Sequence, residues 1–301
     1  MKFKKLPLPE NLLLTKDSSR CTLKEFLRQI DFNKSKLKKI QALLSGTFQS
    51  SHMGPGFDFN EIREYKIGDD LRHISWNTTA KTGNLHTKEY FSEKEMLSYF
   101  LIDISNSMFC GLKVDIFMQL VAFLLYLAST FSEQIGGVFF SSDVRYHFPL
   151  LLASSQANII FQSLLNFVQE QDNDLFFTSC DRTDLPKALD FMRQSFSRKG
   201  IVFLVSDFIN LVNWEKSVYE LSQKQNIFSF QIFDSVDFKL PNAGYVSIID
   251  PETNKRFFVN TDNKAVQEKY LKLTHEKQEK LKKFFRTIGA NHYIIEREDF
   301  N

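Results

Sequence analysis

A chain of 301 residues with 43% apolar residues, 25% charged residues and a formal charge of +2 has the composition of an ordinary globular protein, long enough for one large domain or two modest ones. That balance excludes a polybasic nucleic-acid binder, and the 32 phenylalanines are scattered through apparent strands and helices as core residues, not interleaved with basic clusters as a base-stacking surface requires. Cys21, Cys110 and Cys180 form neither a C-x-x-C pair nor an even framework, which speaks against a disulfide scaffold or a zinc site and for a reducing cytosol.

The amino terminus, Met1-Lys2-Phe3-Lys4-Lys5, is basic, but Pro7, Pro9 and Glu10 interrupt the apolar segment of a signal peptide, so a cytoplasmic location is expected. From Thr22 to Leu44, apolar residues at helical spacing (Leu23, Phe26, Leu27, Ile30, Leu37, Ile40, Leu44) predict an amphipathic helical lead-in with a break near Asp31-Phe32-Asn33. Between Gly54 and Phe91, the runs Phe57-Asp58-Phe59, Ile74-Ser75-Trp76 and Leu85–Phe91, separated by Gly56, Gly68-Asp69-Asp70 and Thr82-Gly83-Asn84, predict small β-strands joined by turns.

After residue 96 the rhythm changes. Strands are expected at 97–103, 135–141, 144–149, 201–206 and 227–233, alternating with helices near 113–131, 155–169, 184–197 and 213–224. This alternation predicts an α/β fold around a mostly parallel sheet, with ligands at the carboxyl ends of its strands. The apolar stretch Ile116–Ala128 contains Gln119 and falls short of the roughly 18 residues that cross a bilayer, so it reads as a buried helix and no transmembrane segment is expected. A β-pair at Tyr245–Ile249 and Arg256–Val259 precedes a charged helix over about 262–286, whose lysines form a solvated face around one apolar stripe. His292–Ile295 could supply an edge strand. The expected division is 1–95, the lead-in plus small β region, and 96–301, the α/β domain with its C-terminal helix.

The residues with chemistry to offer begin at Asp103-Ile104-Ser105-Asn106-Ser107, directly after the apolar strand. A carboxylate and two hydroxyls at i, i+2 and i+4 offer oxygen ligands from one turn, a donor set that suits a hard cation such as Mg²⁺. The plainer alternative is a polar turn that caps the next helix. Thr183 and Asp207 stand at other expected strand ends, and each has a capping role as its plain alternative.

In joint order, Asp103-x-Ser105-x-Ser107, Thr183 and Asp207 resemble the metal-ion-dependent adhesion site of von Willebrand factor type A domains. The resemblance implies a three-layer α/β sandwich, a bound Mg²⁺ or Mn²⁺ ligated directly or through water by those five residues, and an acidic partner residue completing the octahedron. A second stretch, Arg63-Glu64-Tyr65-Lys66-Ile67-Gly68-Asp69-Asp70-Leu71-Arg72-His73-Ile74-Ser75-Trp76 followed by Ala80-Lys81 and Lys88-Glu89-Tyr90, resembles the signature of the bacterial family catalogued as domain of unknown function 58. Ser75 departs from the Asp that the family carries before the Trp, and Lys81 from its common Arg. The signature's arginines and carboxylates are expected to satisfy each other in bidentate pairs, the alternative being a docking surface.

The family resemblance implies a non-enzymatic interaction module working with a MoxR-type AAA+ ATPase in the assembly or maturation of other proteins. The chain has no G-x-x-x-x-G-K-[ST] loop, so any ATPase is a separate partner, and a membrane protein stays open as another. The competing class is a metal-dependent phosphohydrolase using Asp103 as phosphoryl acceptor, but such enzymes place a second carboxylate two residues on, where this chain has Ser105. No H-E-x-x-H pair or G-x-S-x-G elbow supports a protease or esterase.

Overall fold

The computed structural model describes residues 22–28, 35–51, 58–91, 95–109, 113–173, 183–209, 211–234, 237, 242–249, 256–296 and 299. The chain forms two compact units, one of residues 39–96 and one of residues 1–38 with 97–301. The expected break at Asp31–Asn33, all three cysteines and the amino-terminal stretch lie outside the described residues.

In the smaller unit, β1 (Asp58–Glu64) and β2 (His86–Phe91) pair antiparallel around helix α3 (Trp76–Thr82). The expected strand at Ile74-Ser75-Trp76 is corrected to a single bridge from Ile74 to Thr87 followed by α3. The helix's own backbone bonds decide this: the Ser75 carbonyl accepts the Thr79 N–H, and Gly83, at φ +80°, turns into the left-handed region that ends helices while its N–H donates to the Thr79 carbonyl. Two apolar residues flanking a serine are too short a run to outweigh those bonds.

The larger unit is built on a six-stranded sheet in the order β10-β7-β6-β3-β4-β5, comprising β3 (Leu97–Asp103), β4 (Gln134–Phe140), β5 (Val144–Leu152), β6 (Ile201–Ser206), β7 (Asn226–Ile232) and β10 (Asn291–Ile295). All neighbours are parallel except the β4–β5 hairpin. Period-two alternation splits the central strands between two layers. Leu97, Tyr99, Leu101, Val138, Phe140, Val202 and Leu204 join one core with α6 (Leu185–Ser195), α7 (Glu215–Ser222) and Phe285 of α8 (Lys264–Thr287). The intervening Phe100 and Phe203 meet each other at 4.9 Å, and Phe139 lies beside Tyr146, whose ring meets Phe167 of α5 (Ala153–Asn173). Both faces being covered, β3 is buried along its whole length, which is why Tyr99–Ile102 reads as a continuous apolar run.

Helix α4 (Lys113–Phe131) packs against α5 and the short helix α1 (Leu23–Leu27). At 19 residues it is longer than the apolar run suggested, and by length and composition alone it could cross a membrane. Here most of it is buried, from Ile116 to Ala128. Helix α1 opens with a reciprocal Thr22–Glu25 capping box and sets Phe26 5.0 Å from Phe161, so this part of the lead-in belongs to the larger unit's core. The strands β8 (Tyr245–Ile249) and β9 (Arg256–Asn260) form the expected antiparallel pair, and β10 is the edge strand, parallel to β7.

Candidate metal centre

Strand order fixes where a site can form. From β3 the chain crosses to β4 on one side, and it later returns to β6 on the other, so β3 and β6 flank the topological switch point where an open α/β sheet leaves a crevice. Asp103 ends β3 and Asp207 follows β6 at that crevice.

The Ile104 N–H donates to the Phe140 carbonyl, carrying the β3–β4 ladder one residue past Asp103 before a 3₁₀ turn at Asn106–Phe109. Asp103 Oδ1 accepts the Ser105 N–H at 2.9 Å, and the Ser105 and Ser107 hydroxyls stand 3.1 Å apart. From β6, the Ser206 hydroxyl donates to Asp103 Oδ2 at 2.7 Å and accepts the Phe208 N–H. All of these side chains from Asp103 to Asp207 are buried. Burial first, and the Asp207 carboxylate second, push the Asp103 carboxyl well above the usual carboxylate range against the hydrogen bonds from Ser206 and Ser105.

Phe208 takes φ 55°, a left-handed backbone that costs a bulky residue on the order of 1–2 kcal/mol. Its ring lies 5.7 Å from Trp214, 5.6 Å from Phe285 and 5.9 Å from His292, and this packing holds the strained turn that presents Asp207. Asp207 Oδ1 accepts the Ile209 N–H, and Oδ2 faces the ammonium of Lys113 at 3.1 Å. Lys113, the first residue of α4, also meets Asp237 at 2.9 Å. Burial works against that ammonium, but Asp207 and Asp237 outweigh it and raise the Lys113 pKa. At Asp237 burial wins over Lys113, and the carboxyl is raised.

Thr183 lies just ahead of α6. The N–H of the next residue, Asp184, donates to the carbonyl of Ser141, which follows Phe140, the β4 partner of Asp103. Backbone pairing therefore sets Thr183 at the neighbouring strand end, while Asp103, Ser105, Ser107 and Asp207 share the crevice. Ser206, Lys113 and Asp237 were missed from the sequence. Ser206 had a signal, a hydroxyl beside Asp207 at a strand end; the other two had none.

The donors fit a hard divalent cation. Among the described residues no three His, Cys, Asp or Glu side chains gather as a metal site, so an ion here would draw on hydroxyls and water. The 3.1 Å between the serine hydroxyls is close to the separation of adjacent ligands on a Mg²⁺ octahedron, about 2.9 Å for bonds of about 2.05 Å.

The profile of the family described as protein of unknown function DUF58 matches residues 61–280. The chain belongs to the DUF58 family. A curated relative, the uncharacterized protein Rv1480 of Mycobacterium tuberculosis, is 24% identical over 220 residues, covering 72% of this chain and 67% of the relative. Among solved structures, the chain is similar to an aerotolerance-related membrane protein from Bacteroides fragilis, at 13% identity and TM-score 0.39 over 68% of this chain and 93% of that one. It is also similar to a von Willebrand factor type A protein from Catenulispora acidiphila, at 13% identity and TM-score 0.35 over 49% of this chain and 35% of that one. The larger unit has the mostly parallel sheet flanked by helices that the resemblance implied. The expected cytoplasmic location is corrected: the Bacteroides neighbour is named a membrane protein, which overturns a placement read only from cysteine usage and the amino terminus.

The DUF58 signature forms its own polar network in the smaller unit. The Arg63 guanidinium donates to both Asp69 oxygens, at 2.8 and 3.0 Å, and the Lys66 N–H adds a third bond. Arg63 foremost, then the Lys66 N–H, hold the Asp69 carboxyl down at about 2. Arg72 pairs with Asp70 through Nε and Nη2. Ser75 shares a 3.0 Å hydrogen bond with Thr78.

Proposed function

We propose that this DUF58 chain is a non-enzymatic, divalent-metal-dependent docking module that works with a MoxR-type AAA+ ATPase in the assembly or maturation of other proteins. Asp103, Ser105, Ser107, Thr183 and Asp207 would hold Mg²⁺ or Mn²⁺, and a carboxylate of the partner would complete the shell. When bound, the ion supplies electrostatic attraction for that acidic side chain. The reading is carried by one observation: a buried, all-oxygen cluster from two strand ends meets at the sheet's switch point, with Ser206 bonding Asp103 to the β6 side. Ser105, standing where a phosphoryl-transfer enzyme needs its second carboxylate, supports a binding role over a hydrolytic one.

The test is thermal unfolding in chelator and in Mg²⁺. A ligand bound only by the folded state stabilises it by RT ln(1 + [L]/Kd), about 2.3 kcal/mol at fifty times Kd, which raises the Tm of a chain this size by several degrees. Asp103→Ala and Ser105→Ala should lose that increment. An equal Tm rise in the variants would refute the assignment, and Asp103-dependent hydrolysis of phosphate esters would replace it with the enzymatic one.

A further inference from the structure

Asp207 has no unengaged carboxylate oxygen. Oδ1 accepts the Ile209 N–H at 3.1 Å and Oδ2 is held by the Lys113 ammonium at 3.1 Å. The Lys113 and Asp207 side chains are 5% and 2% exposed, so the pair is out of water and its attraction is poorly screened. The same ammonium grips Asp237 at 2.9 Å. Asp237 is in turn built into the larger unit: its N–H donates to the Asp234 carbonyl and its own carbonyl accepts the Tyr270 hydroxyl of α8 at 3.1 Å.

We infer that Lys113 is a resident counter-cation that competes with the incoming divalent ion for Asp207, and so sets the metal affinity of this site and links metal binding to Asp237 and α8. The inference rests on the metal reading of Asp103, Ser105, Ser107 and Asp207. Ligand charge sets cation affinity over decades, and a fixed ammonium at the carboxylate removes one unit of negative charge from the shell. Asp207 enters that shell through water, or directly by giving up Lys113; in the second case the ammonium falls wholly to Asp237.

Two variants act in opposite directions. In Lys113→Met the carboxylate is released, and Mn²⁺ should bind on the order of tenfold more tightly. In Asp237→Asn the ammonium is left to Asp207 alone, and Mn²⁺ should bind several-fold more weakly. Mn²⁺ is titrated into chelator-treated full-length protein, with the free ion followed by electron paramagnetic resonance. Wild-type affinity in both variants overturns the inference. Should Lys113→Met fail to fold, Asp237→Asn carries the binding test, because that carboxylate is 24% exposed and its loss leaves Lys113 still paired.

A metal-free arm separates the inference from the reading beneath it. In chelator, Asp207→Asn should restore part of the unfolding midpoint lost in Lys113→Met, since it removes the carboxylate left unpaired. No restoration overturns the pairing. Restoration with no Mn²⁺ bound by any form overturns the metal reading, and the competition with it.

Discussion

The half-buried imidazole of His292 gives the sharpest pH prediction. Its ring stacks on Phe285 at 4.7 Å and 6°, Nδ1 lies 3.1 Å from the Ser229 hydroxyl, and Nε2 is buried without a hydrogen-bond partner. Burial first, and the Lys282 ammonium second, push its pKa down to about 4 from the ordinary 6.5. Because the folded value is the lower one, the unfolded chain takes up the proton first, and acid removes stability starting near pH 6.5. With those two values, the loss is small at pH 7, on the order of 1 kcal/mol at pH 6 and about 2 kcal/mol at pH 5, with a ceiling of about 3 kcal/mol in stronger acid. Urea unfolding of wild type and His292→Phe across pH 8 to 5 isolates the term, because Phe keeps the stack and does not titrate, while every other group cancels in the difference. The wild-type curve should fall below the variant's by those increments. Parallel curves would refute the reasoning.

Two substitutions of glycine should act with opposite signs. A Cβ at Gly137 would sit 2.7 Å from the Phe100 carbonyl oxygen, so Gly137→Ala should wedge β3 from β4 and cost about 1–3 kcal/mol. Gly46, exposed within α2 (Ser35–Ser51), has nothing within 4 Å, and Gly46→Ala should stabilise by about 0.5–1 kcal/mol. Chemical denaturation of both variants checks the pair, and equal signs would break the argument. In the signature region, Arg63→Lys replaces a two-pronged guanidinium with a point charge, so the Asp69 carboxyl should titrate above its present value of about 2, read by carboxyl-carbon NMR.

How much of this was legible in the sequence follows the range of the forces involved. Ile201–Ser206 was readable to the residue, because a strand covered on both faces runs apolar along its length, here from Ile201 to Val205, and the polar Ser206 marks its end. Asp103, Ser105 and Ser107 were readable as a unit because their spacing is local. The Ile74–Trp76 error came from weighing two apolar residues over the short helix that opens after Ser75 and is ended by Gly83. Helix α1 carried an apolar face that the spacing revealed, but not that α4 and α5 would cover it. Lys113 and its partners Asp207 and Asp237 were beyond reach: 94 residues separate the first pair, and no periodicity connects a lysine at a helix start to carboxylates that the fold brings beside it later.

The charges along the crevice bear on the divalent ion proposed above. Lys113 bridges Asp207 and Asp237, and Asp207 in turn acts on Asp103, so three carboxyl groups are linked in a row through one ammonium. With all three carboxyls ionised, two negative charges stay unbalanced where water cannot spread them, a state the fold avoids by raising Asp103 and Asp237 toward their protonated forms. A monovalent cation would leave one charge unbalanced, and a zinc-type site would need nitrogen or sulfur donors that this crevice does not offer. On the proposed reading, a hard ion of charge two would balance the row and take the two serine hydroxyls as neutral ligands. Ser206 and Lys113 hold the Asp103 and Asp207 carboxylates in place, so the crevice is built by the chain's own bonds.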